Sequence, residues 1–222
     1  MGYQFDFAAL AQYFGLFVAG AAVTAGLTAV AAIAGVGLGI AGAAASLSHR
    51  HWLRASVLAY VELIRNTPFI VQMFFLFFGL PSLGLRLTAL EAAALAMTIN
   101  LAAYAIEILR AGLEAVPSGQ IEAGRAFALP PVALFSRIVL PQALAIVFPA
   151  LVGQIVVTML ESAVVSQIAV VDLTHVADLI QSRNFRPFET YLVVTGIYLA
   201  MAMALRRGLE ISGSWLFAGR AR

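Results

Sequence analysis

Asn100, Tyr104 and Glu107 stand at i, i+4 and i+7, and Gln154, Thr158 and Glu161 repeat that spacing. At about 3.6 residues per helical turn, each trio falls on one helix face. Both trios interrupt apolar runs. Within a membrane a charge near a helix centre costs about 2.5–3.5 kcal/mol, so each polar group there calls for an account. Such groups offer hydrogen bonds and charge to a polar solute, or they tie helices together. The chemistry they support is recognition, not bond breaking. We expect Asn100, Tyr104, Thr158 and Glu161 to contact a solute or line its path, with interhelical hydrogen bonding as the alternative. Gln72, one turn beyond Thr67 and Pro68, is a further path candidate. Glu107 with Arg110, and Glu62 with Arg65, are each spaced i, i+3 and are expected to pair locally.

Other chemistries are poorly served. There is no Cys, so the chain has neither a disulfide framework nor a thiolate metal site. His49 and His51 flank Arg50 and His175 stands alone, so no metal is expected. No Ser/His/Asp grouping suggests a hydrolase. The chain lacks Lys altogether and has no Gly-x-x-x-x-Gly-Lys-Ser/Thr loop, so it does not cradle a nucleotide by that route. A net charge of +2 gives no broad basic face for nucleic acid.

The elements that carry these residues are set by composition. The chain is 62% hydrophobic and 11% charged, with mean hydropathy +0.96, against roughly 25% charged in a soluble domain. A soluble bundle is therefore rejected in favour of an all-α integral membrane protein, one domain over residues 1–222. An interfacial piece precedes spans at about 14–47, 57–80, 88–110, 142–165 and 190–205. Met1 to Phe7 has no basic run, so the first span is expected to be retained. Thr67-Pro68 breaks or kinks the second span and Pro149 kinks the fourth. Gly35, Gly37, Gly39 and Gly42 permit close packing of the first, against another helix or a partner subunit. With the N-terminus outside, nine Arg (50, 54, 110, 125, 137, 206, 207, 220 and 222) fall inside, against Arg86, Arg183 and Arg186 outside. N-out/C-in is expected. This makes the loop at 111–141 cytoplasmic and that at 166–189 external. No internal repeat is present, and five spans suit the inverted repeats of secondary carriers badly.

The loop at 111–141 reads as two short helices. Ser118 is the expected N-cap of the first, and Pro130-Pro131 ends it. Pro131 opens the second and Pro141 closes it. Ala123, Gly124, Ala126 and Ala128 surround Phe127, so a partner can approach closely while Phe127 and Ile121 supply an apolar anchor. Glu122 is favoured near the N-terminus by the helix dipole. A single Arg argues against a helix resting on lipid. Docking to a protein is the better reading.

This segment resembles the EAA motif of membrane subunits of ATP-binding-cassette importers, with Glu122, Ala123, Ile138, Leu140 and Pro141 at matching spacing. It departs at Gly124, where the motif has Ala, and at Ala128, where it has Gly. The loss of Gly at 128 weakens any need there for an unusual backbone conformation. Tyr60 to Phe75 with Phe78-Gly-Leu-Pro81, the residues Asn100, Tyr104, Glu107, Arg110 and Gly112, Leu140 to Ala143, and Phe185 to Glu189 are similar to polar amino acid permeases. The resemblance covers about residues 14 to 207. Leu160-Glu-Ser-Ala163 replaces that family's Lys-x-Thr-Ser run. The resemblance implies a multi-pass protein of the bacterial cytoplasmic (inner) membrane that is not itself an enzyme. It implies pairing with a second permease subunit, as homodimer or heterodimer. It also implies an ATPase subunit that carries ATP and Mg and meets Glu122, Ala123, Gly124, Phe127 and Ala128, and a periplasmic or surface binding protein that delivers an amino acid. A gradient-driven amino acid carrier is the main rival reading, and a non-transporting membrane scaffold the other.

Overall fold

The computed structural model describes residues 4–217, and those residues form helices and turns without strands. Arg220, Arg222 and Met1 to Tyr3, used above for orientation and leader, lie outside the described residues. A 3-10 turn, Ala8–Tyr13, leads into α1, Phe14–Ser46. At about 1.5 Å per residue, α1 is about 50 Å long. This exceeds the ~30 Å hydrocarbon layer, as its uncharged run requires. The chain then turns into α2, His51–Arg65, and α3, Phe69–Phe74, which continues through a wide turn at Phe75–Gly79 and a 3-10 turn at Leu80–Leu83.

The helix α4, Ala89–Glu114, opens with a capping box. Thr88 Oγ1 accepts from Glu91 N–H at 3.3 Å, and Thr88 N–H donates to Glu91 Oε2 at 2.8 Å. Two short helices follow, α5 at Ser118–Ala126 and α6 at Pro131–Leu134. A wide turn at Phe135–Val139 joins α6 to α7, Leu140–Glu161, and a 3-10 turn follows at Ser162–Ile168. The last described helices are α8, Leu173–Asn184, and α9, Pro187–Phe217. Among the described residues four helices are long and apolar enough to cross a membrane, and the bent α2–α3 pair makes a fifth if counted as one span.

The hub is α4, which packs along α1 and against α7. Much of its buried face is Ala, with Met97, Leu101 and Leu109 as larger fillers. Small residues on both partners let the axes come close. Gly35, Gly39 and Gly42 of α1 turn to this face, and a β-carbon on Gly39 would lie 2.6 Å from Ala105 Cβ. Gly37 does not share that role, since a β-carbon there meets nothing within 4 Å.

Several expectations change. The second span starts earlier than the expected 57, at His51, and the expected break at Thr67-Pro68 is a turn of 106° between Arg65 and Phe69. Pro68 lacks the N–H that would bond Ile64 O, and Asn66 and Thr67 follow the last helical turn. Ser118 is the first helical residue, not the cap, and Pro117 precedes it without a side-chain cap. Pro141 does not close a helix. The wide turn before it re-phases the backbone, so the helix runs on into α7, with Gln142 Nε2 donating to Ile138 O at 2.9 Å.

The loop at 166–189 carries a helix of its own, α8. Asp172 Oδ1 caps it by accepting from His175 N–H at 2.9 Å. Burial pushes the Asp172 carboxyl above the usual carboxylate range, against the backbone N–H donors of His175 and Thr174. α8 rests on α1 at Gly20, where a β-carbon would lie 2.9 Å from Leu173 Cα.

Candidate functional site

The break after Arg65 organises a polar column between α2, α3 and α4. Its free carbonyls are met by three side chains: Asn66 Nδ2 donates to Glu62 O at 2.8 Å and Thr67 Oγ1 to Leu63 O at 2.8 Å, and Gln72 reaches across the break. Gln72 Nε2 donates to Ile64 O at 2.7 Å, to Thr67 O at 3.0 Å and to Thr67 Oγ1 at 2.8 Å. Its other end, Oε1, accepts from Asn100 Nδ2 at 3.1 Å. Asn100 is 4% exposed, and its Oδ1 has no hydrogen-bond partner among the described residues. One turn further along α4, the Arg65 guanidinium lies 5.3 Å from the centre of the Tyr104 ring, a cation–π distance. Arg65 Nη1 stands 3.8 Å from Glu107 Oε2. Glu107 and Arg110 pair at 2.6 Å, as their spacing predicts, and Arg110 also reaches Glu114 at 2.7 Å.

The expected Glu62–Arg65 pair is replaced. Arg65 turns to Glu107 and Tyr104, while Glu62 Oε2 accepts from Asn66 Nδ2 at 2.8 Å. Packing of α2 against α4 gives Arg65 a tertiary carboxylate and ring in place of its helical neighbour. Val61, Glu62, Arg65, Asn66 and Tyr104 thereby line a cleft of about 280 Å³. Sequence reasoning treated Glu62 and Arg65 as structural. The signal that they face a cleft was their place just before a proline break, where backbone and side chains are freed.

Gln72 and Asn100 are thus joined, while Tyr104, one turn along α4 from Asn100, stands against Arg65. Thr158 and Glu161 stand apart on α7. Thr158 is 2% exposed and its Oγ1 has no partner among the described residues. Glu161 is half-buried at the end of α7. No hydrogen bond among the described residues joins either to the Asn100 column.

At the other candidate surface, α5 leaves Glu122, Ala123, Phe127 and Ala128 exposed, with Phe127 at 83%. Gly124 faces inward, and a β-carbon there would run into Leu134 Cδ1. It packs α5 against the helix that follows and leaves the exposed face to its neighbours. Ile121 is half-buried in the same inner cluster.

The end of α5 is a Schellman cap. Leu129 N–H donates to Gly124 O at 3.2 Å and Ala128 N–H to Arg125 O at 2.9 Å. This places Ala128 at φ 52°, in the left-handed region. The expectation of an ordinary backbone at 128 is therefore wrong: the cap needs the conformation whatever the residue, and a Cβ there costs about 1 kcal/mol. Ala128→Gly is expected to raise thermal stability by that order, read as a higher melting temperature in detergent; a lowered one would contradict the cap.

Broken and continuous spans surround a central helix, with a short exposed helix between two of them, the architecture of a polytopic membrane protein. Residues 35–209 match the family described as the binding-protein-dependent transport system inner membrane component, and the chain belongs to that family. It is a multi-pass inner-membrane permease subunit of an ATP-driven importer, and ATP hydrolysis resides on a separate subunit. This sets aside the gradient-driven carrier.

Among similar proteins is the probable glutamine ABC transporter permease protein GlnM of Bacillus subtilis (strain 168), 38% identical over 68% of this chain and 70% of that one. Another is the octopine transport system permease protein OccM of Rhizobium meliloti, 37% identical over 70% and 67%. The crystal structure of an amino acid ABC transporter with histidines superposes at TM-score 0.85 with 35% identity, covering 95% of this chain and 99% of that one. The methionine ABC transporter MetNI shares the fold at TM-score 0.79 and 20% identity, over 93% and 98%.

Proposed function

We propose that this chain carries polar amino acids inward as one of two permease subunits, N-terminus outside and C-terminus inside. The observation that carries the reading is the exposed α5 surface, Glu122 to Ala128, held between membrane-spanning helices. An ATPase subunit, binding ATP and Mg, receives Glu122, Ala123 and Phe127. Gly124 and the Ala128 cap fix the angle of that surface. The Arg distribution supports a cytoplasmic position for it. A second permease subunit, a copy or a paralogue, closes the path, and an external binding protein supplies the solute. The amino acid class is supported by the names of the similar permeases and by the polar column.

In this reading Asn100 and Tyr104 line the path from α4. Gln72 lines it from α3 while holding the broken span. Thr158 and Glu161 contribute from α7, where Glu161 brings negative charge toward the solute. Competition tests the substrate class. Uptake of a labelled amino acid by the assembled complex is expected to be displaced by other polar amino acids and not by sugars. Displacement by sugars alone would overturn it.

A further inference from the structure

We propose that the cleft between α2 and α4 is a subsite for the α-carboxylate and α-ammonium groups of the solute, with Arg65 taking the carboxylate and Glu62 the ammonium. The proposal rests on the reading of the chain as an amino acid importer subunit, and it names the part of the solute that this cleft recognises.

The cleft is lined by one guanidinium, one carboxylate, one amide and one aromatic ring, from Arg65, Glu62, Asn66 and Tyr104. Glu62 and Arg65 stand one helical turn apart, which sets their β-carbons about 5–6 Å from each other. They project into the same cleft without neutralising each other. The two opposite charges of an amino acid headgroup, carried on the same α-carbon, match that arrangement.

Arg65 is held but not used up. Its contact with Glu107 is 3.8 Å, whereas Arg110 approaches the same carboxylate at 2.6 Å. A charge-assisted N–H···O bond needs about 2.7–2.9 Å. Glu107 is thus already satisfied by Arg110. Among the described residues no hydrogen bond uses the five N–H donors of Arg65. Tyr104 lies 5.3 Å from the guanidinium carbon, a cation–π contact that does not occupy the N–H donors, so they remain for a planar carboxylate. The Arg65 side chain is 39% exposed, so a solute can reach it. Glu62 is exposed as well, and its carboxylate receives one internal hydrogen bond, from Asn66. A headgroup subsite is indifferent to the amino acid side chain. It lets one membrane path serve several amino acids, with side-chain selection left to other groups.

The test uses the permease–ATPase complex in lipid nanodiscs without the binding protein. Equilibrium binding of labelled L-arginine and L-histidine is compared with that of their decarboxylated forms, agmatine and histamine. Wild type is expected to prefer the amino acid over its amine by about 10- to 100-fold. Arg65→Met is expected to bring the ratio close to one, Arg65→Lys to keep part of it, and Glu62→Gln to weaken both ligands. Because the readout is a ratio, loss of folded protein in a variant does not mimic the effect. An Arg65→Met ratio equal to that of wild type overturns the proposal. So does a wild type that binds acid and amine equally, or that binds neither while still importing amino acids with the binding protein present. Absence of amino acid import by wild type overturns the importer reading itself.

Discussion

Glu122→Lys is expected to abolish transport and solute-stimulated ATP hydrolysis while leaving the chain inserted at wild-type levels. Glu122 is exposed in the middle of α5, and no ion pair among the described residues involves it. Reversing its charge therefore breaks no contact that holds the described fold. Glu122 lies beyond the first turn of α5, so it does not sit where the helix dipole would favour a carboxylate, and a Lys there costs the helix little. At a docking surface the outcome differs, because a reversed charge meets the groups that received the carboxylate, and like-charge contacts at interfaces cost several kcal/mol. The two outcomes separate in one preparation: membrane insertion by fractionation, and ATP hydrolysis and uptake by the same vesicles. Wild-type coupling in Glu122→Lys would remove α5 from the ATPase interface.

Gly39→Leu is expected to disrupt the packing that holds the fold. The α1–α4 contact is the most extensive helix pair, and a β-carbon at Gly39 already lies 2.6 Å from Ala105 Cβ. The obstacle is a β-carbon fixed to the α4 backbone, not the end of a flexible chain, so the helices must separate. Overpacking of this kind costs about 1–3 kcal/mol, and more where nothing can yield. Gly37→Leu is the internal control, because its β-carbon meets nothing within 4 Å. Melting in detergent is expected to fall by several degrees for Gly39→Leu and to stay near wild type for Gly37→Leu. Equal melting temperatures would contradict the assigned packing.

The membrane helices were legible because uncharged runs leave no other solvent for them. The break at Thr67-Pro68 was legible from proline chemistry, and Glu107–Arg110 from helical spacing. Partners from other helices were not. Gln72 as the group that reaches across the break, and Arg65 over Tyr104, depend on how α2 and α3 lie on α4, which local spacing does not encode. The Glu62–Arg65 expectation failed for that reason, since a tertiary neighbour replaced the helical one. α8 was hidden in a polar loop with weak periodicity, although Asp172 before Leu173 was a readable cap. Ala128 misled because residue type suggested an ordinary backbone, while the cap geometry demanded the left-handed one. Pro141 misled in the opposite sense, since a wide turn lets the helix carry it.

Glu122 to Pro141 concerns how movement is driven, and the α2–α4 column concerns what is moved. The central claim is that ATP hydrolysis on a partner, transmitted through α5, moves amino acids through this chain. It is tested most directly by uptake of a labelled amino acid into proteoliposomes that hold the permease–ATPase complex, with binding protein outside and ATP inside. The expected result is accumulation that requires both ATP and the binding protein and persists when ion gradients are collapsed. Accumulation without ATP, driven by an ion gradient alone, would contradict it.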